Sequence, residues 1–363
     1  MLAVLNNEYE LNLDIAISQL DLAARIKASD LGDARIGPIM ALPSVLAEFG
    51  ASSQKALAMA GISPQIFADP DNRIPFHQFG YLLESCIELT KCEHFGLILG
   101  ERFDLKGFGP IGDLMANSPT VGDALRSLLQ SLHLHDRGAA PILLTLDDNC
   151  TLLGYSIYRH GTPAVAQIYN VAITIVYRIL RQLCGAEWAP LQVQFSNKLP
   201  SDISPYRKLF KSQVSFDAEI SGIVFDSSWM RHTIQGADPV LHAYLFKAIS
   251  EADAKSFPHF QDRVSCVLRQ MLLSGTFSGP AIAELFGVHE RTLRRYLSNE
   301  ETSLQQLLNQ TRFELAKELL ANTALPVADI ATALRYDDPN VFSRAFRNWA
   351  NLSPSQWRKN LQA

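Results

Sequence analysis

The chain has 363 residues, 47% of them hydrophobic and 19% charged, and a formal net charge of −5. This composition excludes a disordered chain, a disulfide scaffold and a strongly basic polyanion binder, and the length suits two domains with a short extension. Five cysteines show no CxxC pair and no metal spacing, and the first residues carry Glu8, Glu10 and Asp14 rather than a basic run. Reduced thiols, a cytoplasmic location, no export signal and no metal or other cofactor are therefore expected.

Residues 1–36 read as an N-terminal extension, and residues 37–230 as an α+β domain. Helical periodicity covers residues 42–60, 76–89 and 121–132. Residues 142–146 and 152–158, around Asp147-Asp148-Asn149, predict a β-hairpin. A long helix is expected over 162–184. Its most apolar part contains Asn170, Arg178 and Arg181, which suits a buried amphipathic helix and not a membrane span. Strand-like runs follow at 191–195, 214–216 and 222–225, and residues 231–257 read as a linker containing a helix.

Three constellations in this half invite a chemical reading. Gly107-Phe108-Gly109-Pro110-Ile111-Gly112 is formally a GxGxxG, but no clear strand precedes it and Pro110 removes an N–H, so a loop is the better reading. His133-Leu134-His135-Asp136 places two imidazoles at i and i+2, as on one face of a strand, yet lacks a third ligand, which favours polar core or surface. The hairpin and the next helix offer Arg137, Tyr155, Tyr158, Arg159 and Tyr169 as candidates for a small-molecule pocket. An anionic ligand would want Arg137 or Arg159, and a lipid-like one the aromatic side chains alone. No nucleophile stands with a base and an oxyanion motif, so an enzyme is not expected.

Residues 258–363 read as an all-α domain holding two helix-turn-helix units joined by a long helix. In the first, Pro280 to Phe286 is amphipathic, Gly287 closes the helix, and Glu290 to Leu297 forms the second helix with Leu293 and Leu297 inward. Arg291, Arg294 and Arg295 then project outward, and a guanidinium fork suits guanine or phosphate. His289 is a weak residue for the N-cap. Thr302-Ser303-Leu304-Gln305 reads as a capping box opening a helix over 303–321. That connector spans roughly 28 Å, close to the ~34 Å between recognition helices one DNA turn apart. In the second unit Asp338 caps a helix beginning at Pro339, with Phe342, Ala345, Phe346 and Trp349 inward and Asn340, Arg344 and Arg347 on other faces. Residues 261–363 hold 12 Lys+Arg against 10 Asp+Glu, whereas the rest holds 20 against 27. The basic character is local, and non-specific DNA binding should be modest and salt-sensitive.

Gly287-Val288-x-x-Arg291-Thr292-Leu293, the connector with Arg312, Leu315, Ala316 and Leu320, Ile330-Ala331, Phe342-Ser343-Arg344-Ala345-Phe346 and Leu352-Ser353-Pro354-Ser355-x-Trp357-Arg358 resemble the DNA-binding domain of the AraC/XylS regulators. The resemblance implies double-stranded DNA as a partner, contacts from Arg291, Arg294, Arg295, Pro339, Asn340 and Arg344, and RNA polymerase as a further partner. Two positions depart from the pattern: Arg335 and Glu301 stand where the family usually has glycine. A Cβ at a positive-φ site costs about 1–2 kcal/mol, so the second unit is loosened unless Arg335 gains a phosphate contact.

Phe95-Gly96-Leu97-x-Leu99-Gly100, Phe108-Gly109-x-Ile111-Gly112, Ser118-Pro119-Thr120-x-Gly122-x-Ala124-Leu125 and Tyr206-Arg207-x-Leu209-Phe210 resemble the arabinose-binding-type regulatory domain, in the branch that includes ornithine-responsive regulators. The resemblance implies a bacterial regulator, an activator by family habit, that senses a small-molecule effector and forms a homodimer. The alternative is the same DNA-binding regulator with an N-terminal domain that serves only for oligomerisation.

Overall fold

The computed structural model describes residues 33–136, 139–146, 149–157, 162–218, 220–256, 260–262, 264, 265, 268, 272, 279–286, 288–323 and 325–362. Strand β1 (Asp33–Arg35) opens this part of the chain, and Ile36 behind it is fully buried. Residues 33–36 are therefore part of the folded domain, not of an extension ending at 36. Helices α1 (Leu42–Glu48) and α2 (Ser53–Met59) replace the single helix expected over 42–60. The chain turns at Gly50, and Ser52 then caps α2 by accepting from the Lys55 N–H at 3.3 Å. Strand β2 (Arg73–Pro75) pairs antiparallel with β1, with Ala34 opposite Ile74.

Helices α3 (Phe76–Thr90), α4 (Phe95–Glu101), α5 (Pro110–Ala116) and α6 (Val121–Ser131) follow. The GxGxxG stretch runs from the end of a 3-10 segment through Gly109 into the first turn of α5, and a Cβ on Gly112 would lie 1.8 Å from the Leu105 carbonyl oxygen. Close packing explains that glycine without a nucleotide. Thr120 caps α6 through the Asp123 N–H at 3.1 Å.

The hairpin forms as β3 (Ala139–Thr145) and β4 (Cys150–Ile157), with Leu143 opposite Leu153. Helix α7 (Val165–Cys184) crosses the domain. Its arginines are satisfied locally: Arg178 Nε donates to the Phe103 carbonyl at 3.1 Å, and Arg181 donates to the carbonyls of Ala186 and Trp188. Among the described residues no helix is long and apolar enough to cross a membrane. Helix α4 lies directly on α7, where a Cβ on Gly100 would meet the Thr174 Cβ at 2.7 Å. Glycine is what lets these two backbones approach.

Strand β5 (Gln192–Gln194), helix α8 (Ser204–Phe210), and strands β6 (Gln213–Ser215) and β7 (Ser221–Asp226) complete a five-stranded sheet in the order β3-β4-β7-β5-β6. Strands β5 and β6 run parallel and the other neighbours antiparallel. Side chains alternate across such a sheet. Leu143, Leu153, Val193 and Ile223 face the helical core with α7, while Leu152 and Val224 belong to a second apolar cluster.

Helix α9 (Pro239–Ser256) packs on α5, with Leu245 and Ile249 in the first core. The second core is built by α10 (Gly279–Leu285), α11 (Glu290–Asn299), α12 (Leu304–Asn322), α13 (Val327–Ala333), α14 (Pro339–Ala350) and α15 (Pro354–Gln362). Ile282, Leu293, Leu308, Leu315, Ile330, Phe342 and Phe346 are among its members. Helix α12 lies against β4, so the outer face of the sheet, through Leu152, Ile220 and Val224, joins this core. The N-terminal unit thus combines sheets and helices, and the C-terminal unit is helical with a helix-turn-helix.

Candidate nucleic-acid interface and ligand cavity

Helix α11 starts at His289, whose Nδ1 accepts from the Arg291 N–H at 3.3 Å, so this residue does serve as the N-cap. Leu293 and Leu297 are buried, and Arg291, Arg294 and Arg295 are exposed. Arg294 donates to Glu290 at 2.5 Å one helical turn back. An exposed i,i+4 pair contributes only about 0.3–0.5 kcal/mol, so Arg294 can exchange Glu290 for a nucleic-acid group at little cost. In α14 the Asp338 carboxylate accepts from the Asn340 N–H at 2.8 Å and Pro339 occupies the first turn. Phe342 and Phe346 are fully buried, while Pro339, Asn340, Arg344 and Arg347 are exposed. The structure thus exposes the six candidate contact residues, and Arg347 with them, on two capped helices.

Between these helices, the Ser303 hydroxyl accepts from the Gln306 N–H and donates to its side-chain oxygen at 2.9 Å. The cap is Ser303 with Gln306, one residue later than the Thr302–Gln305 pair expected from the sequence. Glu301 and Arg335 do adopt positive φ, 56° and 60°. Arg335 is not left as pure strain: its Nε donates to the Leu272 carbonyl at 3.3 Å. Arg312 in turn donates to the carbonyls of Leu334 and Arg335, both at 2.9 Å, and stacks 4.5 Å from the Tyr336 ring centroid. The tight turn is held by two arginines where glycine is usual.

In the N-terminal unit an open cavity lies between α7, the β3–β4 hairpin and the β1–β2 ribbon. Its wall is largely apolar, from Ile39, Ile74, Phe108, Leu153, Ile168 and Ile175 among others, with Arg35, His135, Asp136 and Tyr155 as the polar exceptions. Of the sequence candidates, Tyr155 lines it and donates its hydroxyl to Asp136. Tyr169 stands edge-on behind Tyr155 at 6.5 Å, buried in the core and outside the lining. Arg137, Tyr158 and Arg159 lie outside the described residues. Arg35, His135 and Asp136 also line the cavity, and the sequence did not mark them for it, since Arg35 fell in the expected extension and His135-Asp136 invited a metal reading. Leu132–Leu134 is a 3-10 turn, so the i, i+2 spacing of a strand does not apply there.

His135 is almost wholly buried, its ring edge-on to Phe108 at 4.5 Å. Arg35 pairs with Asp71 and also donates to the Phe108 carbonyl and to His135 Nδ1, each at 3.2 Å. Because a guanidinium only donates, Nδ1 accepts and the imidazole proton resides on Nε2. Burial first, then the positive charges of Arg35 and Arg73, hold His135 neutral well below its ordinary value of 6.5. The unfolded chain lacks this restraint, so below about pH 6.5 it binds one proton more than the folded protein. The stability due to this group is complete above pH 6.5 and is lost as pH falls. Denaturation at pH 7 and pH 5.5 should show wild type losing about 1 kcal/mol more than His135→Gln over that interval. An identical pH slope in the two proteins would contradict a neutral buried imidazole.

The sequence of this fold also has relatives. Residues 50–234, just over half the chain, match the family model of the arabinose-binding N-terminal domain of AraC transcription regulators, and residues 282–360 match a helix-turn-helix domain. The chain belongs to the AraC family of transcription regulators. This AraC-type regulator is 27% identical to the ornithine utilization regulator of Pseudomonas aeruginosa, over 88% of this chain and 94% of that one. It is 25% identical to the HTH-type transcriptional regulator VirS of Mycobacterium tuberculosis, over 86% and 93%. The transcriptional activator NphR of a Rhodococcus species is 34% identical over 97 residues, 27% of this chain and 29% of that one. A crystal structure of the regulator CdpR from Pseudomonas aeruginosa aligns with 85% of this chain and 96% of its own at 22% identity and a TM-score of 0.45. These relatives are regulators of transcription, not enzymes, and DNA is the partner that the family implies.

Proposed function

We propose that α10–α11 and α13–α14 are two helix-turn-helix units, that α12 joins them, and that both bind one face of a double-stranded operator. The observation that carries this reading is the pair of capped helices, α11 and α14, each burying Leu or Phe in one shared core and exposing Arg or Asn outward. Arg291, Arg294 and Arg295, then Asn340, Arg344 and Arg347, supply donors for base edges and phosphates, and Pro339 supplies apolar contact. The sensing unit takes in residues 37–230 together with β1 and with α9 from the stretch expected as a linker, 231–257, and residues 258–363 form the DNA-binding unit, in a cytoplasmic protein.

The N-terminal unit senses a small molecule in the cavity beside β4. Leu153 and Tyr155 of this strand face the cavity, while Leu152 belongs to the core that contains α12. A ligand that favours one position of β4 over another therefore has a short route to the DNA-binding helices, provided it binds the two states with different affinity. The resemblance to NphR supports activation, with RNA polymerase and a second copy of the chain as further partners. Selection of genomic fragments by the purified chain tests the DNA reading. Two short shared sequence blocks about one helical turn apart are expected. A single block would mean that only one unit reads bases, and retention without any shared block would refute sequence-specific reading.

A further inference from the structure

Helices α11 and α14 are connected by more than α12. The described residues between 260 and 272 are all helical, and Val264, Leu268 and Leu272, at steps of four, are fully buried in the second core. At Phe260 and Gln261 this stretch is tied to α11. Glu300, the C-cap of that helix, accepts from the N–H groups of Phe260 at 2.8 Å and Gln261 at 2.6 Å, and the Phe260 ring lies edge-on to Tyr296 of α11 at 5.4 Å. At Leu272 the stretch is tied to the turn before α14, because its carbonyl accepts from Arg335 Nε at 3.3 Å. Both ties involve a charged partner, which makes each stronger than a bond between neutral groups. Arg312 of α12 holds the same turn through the carbonyls of Leu334 and Arg335. Arg335 stands there at a φ of 60°, a conformation that a residue with a Cβ keeps only when its surroundings hold it.

On the two-unit reading above, we propose that Arg335 is a positioning residue. With Glu300 it ties residues 260–272 between α11 and α14, and so fixes the operator spacing that the chain accepts. A single connector leaves a hinge at each of its ends, and a second connection beside it resists both. Moving one operator block by one base pair shifts it by about 3.4 Å and turns it by about 35° around the duplex axis. Two helices clamped in this way do not follow both changes.

Binding of the full chain to operators with the two selected blocks at their native separation, or one base pair closer or farther, tests the role. Wild type should bind the shifted operators at least about tenfold more weakly than the native one. Arg335→Gly removes the tie to Leu272 but suits the positive φ, so Tm should hold while that discrimination falls below about threefold. Arg335→Gln keeps a nitrogen donor at the same number of bonds from the backbone and loses only the charge, so it should retain the wild-type discrimination. Glu300→Ala frees the other tie and should lower discrimination as Arg335→Gly does. Full discrimination in Arg335→Gly or in Glu300→Ala would overturn the positioning role. Equal weakening of Arg335→Gly and Arg335→Gln at every spacing would also overturn it, and would assign Arg335 to a phosphate. A wild type that binds one block as tightly as two overturns the two-unit reading itself, whereas a selective wild type with equally selective variants overturns the tie alone.

Discussion

Phe346→Ala is expected to destabilise the DNA-binding unit by about 3–5 kcal/mol, the range for truncating a fully buried aromatic side chain. Phe346 is completely buried, with ring centroids of Phe313, Phe342 and Trp357 at 5.6, 5.9 and 6.2 Å. Those neighbours come from α12, α14 and α15, so the ring is where three helices meet. Three stiff aromatic side chains cannot easily collapse into the space it would leave, which places the cost toward the upper end. A domain of this size has about 5–15 kcal/mol in total, and each kcal/mol lowers Tm by roughly 4–8 °C. Calorimetry should therefore show the transition of this unit falling by at least about 12 °C, with operator binding lost near physiological temperature. A loss under about 1 kcal/mol would mean that α14 is not anchored through this residue.

The second large effect concerns binding alone. Arg294→Ala and Arg344→Ala remove exposed guanidinium groups from different helices, so folding should be nearly unchanged. If each reads a base, each should cost about 1–3 kcal/mol of operator affinity and relax preference at one position. Sites on separate helices without shared partners add, so the double variant should bind its operator about 30- to 20,000-fold more weakly. Binding to unrelated DNA should change far less. Equal weakening on all sequences would assign both arginines to phosphate and contradict base reading. An unchanged affinity for Arg344→Ala alone would show that α14 does not engage the duplex.

The DNA-binding half was legible because its signals are local. Helical spacing, the Asp338-Pro339 start and the inward Leu and Phe positions lie within a few residues of one another, and the structure follows them closely. Where the sequence reading slipped, the difference was one residue of cap register at Ser303, or a His289 ring nitrogen doing what a hydroxyl or carboxylate usually does. Even the Arg335 departure was visible, since a residue replacing glycine at a turn must adopt positive φ. Its compensation was not visible, because the Leu272 carbonyl lies 63 residues away along the chain.

The sensing half divides differently. Alternation and turn residues marked the hairpin and the short strands, and helical spacing marked α3, α6 and α7. No local pattern marked strands β1 and β2, which hold three residues each, or placed β7 between β4 and β5. The cavity was hidden for the same reason. Arg35, Ile74, Phe108, His135, Leu153 and Ile175 come from separate segments spread over 140 residues. By itself the sequence determined what each short segment forms and which helix faces are free to meet DNA, because backbone geometry and capping act within one or two turns. Only the tertiary structure decided which distant side chains share a wall and which charges are already paired, because burial and pairing depend on contacts that no neighbouring residue encodes.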